Sequence, residues 1–465
     1  MSTIYAASAL LPEGWASDVR ITIETGAIAA VDPGVPERTP DERHAIALPA
    51  LANLHSHAFQ RAMAGLAEVR GPSADTFWSW RETMYRFAPS MTPDEVEAVA
   101  AEAYVEMLEA GFAAVAEFHY LHNTPDGSRY AAPAEMAFRV LAAARDVGIA
   151  VTLLPVFYAH ADFGPAPPRG EQRRFITDLP AYARLVDDCR RAAEEGDDDQ
   201  VGVAPHSLRA VTADELEEVV ALSGDGPIHI HAAEQAKEVE DCIAALGARP
   251  VRWLLDHAGV DRCWCLVHAT HMVRSETRDL ARSRAVVGLC PVTEANLGDG
   301  VFHAPAYVEA GGRFGIGTDS NVSIDAASEL RQLEYSQRLD ARARNVLAPL
   351  GRSSGRTLLD AALIGGAQAL ARPSGRLAAG TVADILTLNA DHPMLAGKAG
   401  DQILDAWIFS AGNALVNCVF VGGRQVVDGG RHVARDRVAA RFKATMLKLV
   451  VRAAPGALPP RASGK

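Results

Sequence analysis

The chain has 465 residues, of which 49% are hydrophobic, and a formal net charge of −13 with a pI near 5.6. The length exceeds one average domain, and the apolar content is ordinary for a globular protein with a large core. The acidic balance argues against nucleic acid and against an anionic membrane as partners, so an anionic ligand would need local arginines.

The six cysteines and the N-terminus indicate the compartment. None of the cysteines forms a C-x-x-C pair, which argues against a zinc ribbon or a thioredoxin-like motif and fits a reducing environment. The N-terminus lacks a basic segment followed by a long apolar run. No window reaches the roughly 18 unbroken apolar residues of a membrane helix. We therefore expect a cytoplasmic protein without a membrane segment.

The two ends of the chain have the texture of short β-strands. Val19–Ile23 alternates apolar and polar residues, and Gly380–Leu388 has a strand-like composition after a glycine turn. We predict a small β-sandwich domain built from both termini, with a C-terminal helix and tail after it. The corresponding segments are residues 1–48, 376–434 and 435–465.

Between these flanks, residues 49–375 alternate strands and helices. The predicted strands are Ala50–Leu54, Ala113–Tyr120, Ile149–Tyr158, Val201–His206, Ile228–Ala232, Trp264–Ala269, Ala285–Pro291 and Arg313–Asp319. The predicted helices are Pro93–Ala110, Pro133–Val147, Leu179–Glu195, Ala213–Leu222, Gln235–Ala245 and Ser275–Ala281. This alternation predicts an α/β fold, a TIM-like (β/α)8 barrel, whose chemistry lies at the C-terminal ends of the strands. Two long loops, Leu66–Met91 and Ala159–Thr177, are candidates for shaping a substrate pocket.

Polar side chains suited to chemistry collect at those strand ends. His55 and His57 end strand one, and residues two apart on a strand point to the same side. Both imidazoles could therefore bind one transition-metal ion, although the motif alone would also fit two surface histidines. Other strands end in the same way, at Glu117–Tyr120, His206–Arg209, His229–Glu234, His268 and Thr318–Ser320.

Strand five offers two candidate ligands. His229 and His231 point to the same side, so spacing leaves both open. The position of His231 at the strand end, with Glu234 three residues later, favours His231. We then expect His229 to be a buried structural residue.

The order of these motifs resembles the amidohydrolase superfamily, and within it the deaminase branch. The resemblance rests on the H-x-H of strand one, the H-x-x-E of His231–Glu234, His268 on strand six and Asp319 on strand eight. It covers essentially the whole chain. It implies a metal-dependent hydrolase, and a homodimer, since relatives are often dimeric.

The resemblance implies a metal ion held by His55, His57, His231 and Asp319, together with a water. Binuclear relatives bridge two ions with a carboxylated lysine on strand four, and no lysine precedes Lys237 here. We therefore predict one divalent ion per chain. Zinc is the expected metal, although the ligand types alone would also accept iron or manganese.

The same resemblance implies three catalytic residues. A divalent ion lowers the pKa of a bound water to about 7. Glu234 would take a proton from that water and pass it to the departing nitrogen. His268 would hold the nucleophile or polarise the attacked group, and Asp319 would also orient the nucleophile. The alternative for Glu234 is a carboxylate that simply interacts with a helix N-terminus.

Further stretches resemble one family of that branch, the formimidoylglutamate deiminases of histidine degradation. They are His55–Leu66, Asp75–Arg86, Ala116–His122 and Leu330–Tyr335. By this resemblance, the expected reaction is hydrolysis of N-formimidoyl-L-glutamate to N-formyl-L-glutamate and ammonia.

That substrate carries two carboxylates, which guanidinium groups bind bidentately. We expect Arg81 and Arg209 to contact them, although an arginine in a loop is often only a surface ion-pair partner. Gln60, Tyr120 and His206 resemble the remaining substrate contacts of the family.

Two other functions are compatible with parts of this pattern. A deaminase of an aromatic heterocycle such as guanine, cytosine or an adenosine-like compound would need a stacking floor and few cations. A non-catalytic binding protein on this fold should lack at least one ligand of the metal set, whereas this sequence retains them all.

Overall fold

The computed structural model describes residues 1–39, 41–70, 76–196 and 198–453. Asp75 and the predicted tail beyond residue 453 lie outside these residues. The described strands are β1 (Ser2–Leu11), β2 (Gly14–Glu24), β3 (Ala27–Asp32), β4 (Glu42–Pro49), β5 (Leu51–Ser56), β6 (Phe112–His119), β7 (Ala150–Phe157), β8 (Gln200–Val201), β9 (Ala204–Pro205), β10 (Ile228–Ala232), β11 (Trp264–His268), β12 (Val286–Leu289), β13 (Arg313–Ile316), β14 (Ile385–Leu388), β15 (Val416–Val421), β16 (Arg424–Asp428) and β17 (Arg431–His432).

The described α-helices alternate with the central strands and also cap the C-terminal end. They are α1 (Phe77–Phe87), α2 (Pro93–Glu109), α3 (Glu135–Val147), α4 (Leu179–Ala193), α5 (Ala213–Ala221), α6 (Ala236–Leu246), α7 (Pro250–His257), α8 (Arg274–Ser283), α9 (Pro291–Leu297), α10 (Ala304–Glu309), α11 (Ala326–Ala341), α12 (Ser354–Ala369), α13 (Asp401–Ala406) and α14 (Arg435–Ala453). No helix among the described residues is both long enough and apolar enough to span a membrane.

Strands from the two ends of the chain form one mixed sheet of eight strands, in the order β17-β16-β15-β14-β4-β1-β2-β3. Antiparallel pairing of β14 with β4 joins the C-terminal half to the N-terminal half. Alternating apolar residues such as Ile4, Val19 and Ile21 are buried in a separate small core beneath it. The predicted meeting of both termini in one β unit is therefore present as a continuous sheet. The predicted domain limits stay a prediction.

The central strands form two parallel sheets. One contains β5 to β8, with β9 pairing to β7, and the other contains β10 to β13. Single parallel bridges join them on both sides, between Ser56 and Asp319 and between Val203 and Ile228. The arrangement is consistent with a TIM-like barrel. Strands β6 and β7 are buried at every position, as expected for parallel strands covered on both faces.

The fourth strand differs from its prediction because it is broken at Gly202. A Cβ atom there would lie 2.4 Å from the backbone oxygen of Pro227, so only glycine fits. On either side of the break, β8 and β9 pair separately with β7. The predicted strand Val201–His206 is therefore two short pieces.

The six predicted helices correspond to α2, α3, α4, α5, α6 and α8, with bounds shifted by a few residues. The loop predicted over Leu66–Met91 instead contains α1. Thr76 caps the start of this helix: its side chain accepts the Trp78 N–H, while Ser79 Oγ accepts the Thr76 N–H at 2.9 Å. Helices α7 and α9 to α14 complete the set, α14 in the segment predicted to be helical.

A buried ion pair connects the end of α12 to the terminal sheet. The Nε of Arg372 donates to Oδ2 of Asp384 at 2.9 Å, and both side chains are at most 4% exposed. Asp384 also accepts the backbone N–H of Gly422 at 3.0 Å, at the end of β15. Removing one partner would leave the other charge buried and unpaired.

We expect Arg372→Met to lower the free energy of unfolding by about 3–5 kcal/mol, because Asp384 would stay buried without its cation. Arg437→Met is the control, since the pair of Arg437 with Asp146 is 57% and 39% exposed and such pairs contribute about 0–1 kcal/mol. Thermal unfolding of both variants checks this. Equal melting temperatures for the two would contradict it.

Candidate metal centre and active site

Four side chains meet at the C-terminal ends of strands β5, β10 and β13. The Nε2 atom of His55 lies 3.2 Å from that of His57 and 3.1 Å from that of His231. The Oδ1 atom of Asp319 lies 3.4 Å from His55 Nε2 and 3.3 Å from His57 Nε2. All four side chains are buried. The sequence-predicted ligand set is therefore brought together at one point.

Two of the three imidazoles present bare nitrogens to this point. The Nδ1 atoms of His57 and His231 lie 2.9 and 3.1 Å from the backbone oxygens of Phe118 and His206, and a carbonyl oxygen can only accept a hydrogen bond. Both rings therefore carry their proton on Nδ1 and turn an Nε2 lone pair inward. Burial lowers the pKa of His55 to about 3 and lowers the pKa values of the other two, so the rings are neutral.

This donor set fits a cation. Lone pairs that face one another at these distances repel unless a proton or a metal ion lies between them. Two ligands of a tetrahedral zinc ion, each about 2.0–2.1 Å from it, lie about 3.3–3.4 Å apart. The separations of 3.1–3.4 Å in this cluster are close to that value.

Contacts between the first and the last central strand hold the cluster. The N–H of His57 donates to the Asp319 oxygen at 2.9 Å, and the Asp319 N–H donates to the His55 oxygen at 2.9 Å. Gly317 allows this approach, because a Cβ there would lie 2.8 Å from the His55 oxygen. Asp319 has a left-handed backbone (φ 47°), and His268 does too (φ 68°), a conformation that costs about 1–3 kcal/mol per residue.

A buried polar network lies beneath the ligands. Asn53 Nδ2 donates to Thr318 Oγ1 at 2.7 Å, and Thr318 Oγ1 donates to Asn321 Oδ1 at 2.6 Å. Asn321 Nδ2 donates in turn to Ser56 Oγ at 3.1 Å. These four side chains connect strand β5 to the residues after β13 and so support His55 and Asp319. This network was not predicted, although each of its residues lies within two positions of a ligand in the sequence.

Two further predicted catalytic residues lie beside the cluster. His268 Nε2 is 3.8 Å from Glu234 Oε1 and 3.9 Å from Asp319 Oδ2. Burial raises the pKa of Glu234 above the usual range of a carboxyl group, which is the direction that suits a proton carrier near neutral pH. Burial acts to lower the pKa of His268, but the carboxylates of Glu234, Glu294 and Asp319 outweigh it and raise that pKa to about 10.

A cavity opens above these residues. Its lining includes Glu234, His268 and Asp319 as well as Arg81, Tyr120, His206 and Arg209. Gln60 is the exception among the predicted substrate residues. It lies in the short 3-10 turn Ala58–Met63 and donates to Tyr120 Oη at 2.7 Å, so it contacts a residue of the cavity lining from the side away from the cavity.

The two arginines share an aromatic partner. The Cζ atoms of Arg81 and Arg209 lie 4.5 and 5.7 Å from the ring centroid of Trp78, within cation–π range. Both Nε atoms are buried without a hydrogen-bond partner in the described part of the chain. Because α1 carries both Trp78 and Arg81, the helix that the sequence analysis missed brings Arg81 to the cavity.

His229 has a different place from His231. Its Nε2 donates to the backbone oxygen of Ala369 at 2.8 Å, which lies at the end of α12. It therefore links strand β10 to that helix and is not part of the cluster at the strand ends.

A second group of possible metal ligands includes His268. It consists of His268, Cys290 and Glu294, all buried. The Nδ1 atom of His268 lies 3.2 Å from Oε1 of Glu294. The sequence analysis missed Glu294, although it follows the end of strand seven as the other site residues follow theirs.

The chain matches two family profiles. The profile of the amidohydrolase family matches residues 46–426, and the profile described as formimidoylglutamate deiminase HutF, N-terminal domain, matches residues 1–45. Among known proteins, formimidoylglutamate deiminase of Pseudomonas aeruginosa is 50% identical over 445 residues, which cover 95% of this chain and 98% of that one.

Solved structures agree with this match. The crystal structure of an amidohydrolase from Brucella melitensis is 54% identical, with a TM-score of 0.93, and the match covers 97% of this chain and 100% of that one. An adenosine deaminase from Xanthomonas campestris with bound zinc shares the fold at 22% identity and a TM-score of 0.80, over 96% of this chain and 98% of that one. The chain therefore belongs to the amidohydrolase family, and within it to the formimidoylglutamate deiminases.

Proposed function

We propose that this chain is a metal-dependent hydrolase that converts N-formimidoyl-L-glutamate to N-formyl-L-glutamate and ammonia at the mouth of a (β/α)8 barrel. One observation carries the proposal. The convergent ligands His55, His57, His231 and Asp319 lie beside an acid–base pair, in the same cavity as two arginines whose Nε atoms have no hydrogen-bond partner among the described residues. The 50% identity to a formimidoylglutamate deiminase supports the same substrate.

The four ligands would hold one divalent ion, which we propose to be zinc because imidazole and carboxylate donors suit it. Such an ion supplies an activated water at neutral pH. The family resemblance further suggests a homodimer. A cytoplasmic location is supported by the cysteines, all six of which are unpaired.

The protein residues would move the protons. The water oxygen bonds to the formimidoyl carbon, and the bond from that carbon to the terminal nitrogen breaks. Glu234 takes one proton from the water and delivers it to this nitrogen. The second proton leaves the same oxygen as the new carbonyl forms, so that the NH group departs as ammonia. His268 Nε2 and Asp319, 3.9 Å apart, would orient the attacking oxygen.

The rest of the substrate would occupy the arginine side of the cavity. A glutamate moiety carries two carboxylates, and a guanidinium binds a carboxylate through two parallel hydrogen bonds. Arg81 and Arg209 offer buried donors without protein partners among the described residues. Tyr120, positioned by Gln60, and His206 would line the path between them and the reacting carbon.

An ammonia-release assay compares N-formimidoyl-L-glutamate with cytosine, guanine and adenosine. We expect turnover of the amidine alone, because the two cationic side chains that line the cavity suit a dianion better than a neutral heterocycle. A heterocycle that is hydrolysed while the amidine stays inert would favour the alternative, a heterocycle deaminase.

Arg209→Met and Arg81→Met are expected to raise KM by at least about 30-fold, because losing one partner of a buried charge pair costs about 2–5 kcal/mol. Metal content should not change. Arg86→Met is the matched control, since Arg86 lies on the same helix as Arg81 but its side chain is exposed and bonds only Thr83 among the described residues. A loss of metal in either test variant would mean that the arginines support the metal centre instead.

Metal analysis of the purified enzyme should give one ion per chain, since no lysine precedes Lys237 to bridge a second ion. His231→Ala should lose the ion and lower activity by more than about 100-fold, as changes behind the ligands alone cost 10–100-fold. His229→Gln, two residues earlier on the same strand, is the control and should keep the ion. If the two variants exchange these outcomes, strand five contributes the other histidine.

A further inference from the structure

Glu294 forms a hydrogen bond with the Nδ1 atom of His268, on the opposite side of the ring from Nε2. This residue lies in α9, directly after strand β12, and is 6% exposed. Its Oε1 atom accepts two hydrogen bonds, from the backbone N–H of Cys290 at 2.9 Å and from Nδ1 of His268 at 3.2 Å. One carboxylate oxygen thus connects the end of strand seven to the histidine at the end of strand six.

This contact sets which nitrogen of His268 faces the cavity. A carboxylate oxygen can only accept hydrogen bonds, and Glu294 Oε1 accepts one from the Cys290 N–H. Its second hydrogen bond, with His268 Nδ1, therefore requires that Nδ1 carries a proton. The opposite atom, Nε2, then points toward Glu234 and Asp319, at 3.8 and 3.9 Å. Nε2 is buried and has no hydrogen-bond partner among the described residues. It is therefore free to bond a reacting atom.

Regular strand geometry does not set the direction of the His268 ring. His268 is the last residue of β11 and has φ 68°, as Ala269 after it has φ 48°. A side chain on a left-handed residue leaves the alternating direction of the strand. The direction of the imidazole therefore depends on the contacts of the ring, and Glu294 makes the hydrogen bond at Nδ1.

We propose that Glu294 is a positioning residue for the deimination reaction, holding His268 with its Nε2 directed at the attacked carbon and the water. The inference rests on the proposed function. A purely structural role is the competing explanation, because Glu294 also caps the first turn of α9 by accepting the Cys290 N–H.

Glu215 provides a control for capping. Its Oε2 accepts the backbone N–H of Thr212 at 2.7 Å and bonds His160 Nε2 at 2.8 Å. It therefore makes the same two kinds of hydrogen bond at the start of α5. His160 is not among the residues that line the cavity. Glu215→Leu and Glu294→Leu thus remove equivalent bonds, one of them away from the reacting atoms.

The test compares Glu294→Leu, Glu294→Gln and Glu215→Leu in the metal-loaded enzyme. Glu294→Leu should lower kcat about 10–100-fold, the usual effect of removing a partner behind a catalytic group, with little change in KM or metal content. Glu294→Gln should recover most of kcat, because its amide oxygen can accept both N–H groups. Glu215→Leu should lose stability but keep kcat.

Wild-type kcat in Glu294→Leu, or an equal fall in Glu215→Leu, would overturn the proposal. Nitrogen-15 NMR of labelled histidine gives a readout that needs no substrate. A slowly exchanging Nδ1 proton on His268 should be present in the wild type and in Glu294→Gln, and lost in Glu294→Leu. A wild type that does not turn over the amidine would count against the proposed function alone, since the NMR result still decides the role of Glu294.

Discussion

The site depends on the contact between the first and the last strand of the central barrel. Two backbone hydrogen bonds, His57 N–H to Asp319 and Asp319 N–H to His55, bring residues more than 260 positions apart into one cluster. Gly317 makes the approach possible, since any side chain there would collide with His55. The spacing of Asp319 from His55 and His57 depends on this closure.

This arrangement of the ligands lowers the stability of the folded state. Buried neutral imidazoles with inward lone pairs and an ionised aspartate are unfavourable without a cation, and left-handed residues at the strand ends add strain. The network of Asn53, Thr318 and Asn321 offsets part of this cost by satisfying the polar groups beneath the ligands. Binding of an ion that the folded state alone can hold would stabilise the fold further.

Much of the fold and of the ligand set could be predicted from the sequence, because the signals are local. Strand ends bearing His55, His231 and Asp319 combine an apolar run with a ligand, and period-two geometry directs the side chains. The position of His231 at the strand end, with Glu234 three residues later, then favoured it over His229, a choice that spacing alone left open. In the structure, His229 bonds the backbone of α12 instead.

Other features depend on contacts between distant segments and have no local signal. Helix α1 is an exception, since its buried residues Phe77, Met84 and Tyr85 have helical spacing; it was missed because Leu66–Met91 was treated as one long loop, and Trp78 therefore had no assigned partner. Gly202, where the fourth strand is interrupted, lies too close to the Pro227 backbone for a side chain to fit. Glu294 stands where a glutamate is common, in the first turn of a helix, so its sequence position does not reveal the contact with His268 that the fold creates.

The most direct test of the account is a crystal structure of the zinc-loaded protein with anomalous scattering measured at the zinc edge. We predict one strong peak bonded to the Nε2 atoms of His55, His57 and His231 and to Asp319, at about 2.0–2.2 Å. A principal peak at His268, Cys290 and Glu294 instead, or one that leaves out any of the four predicted ligands, would contradict it.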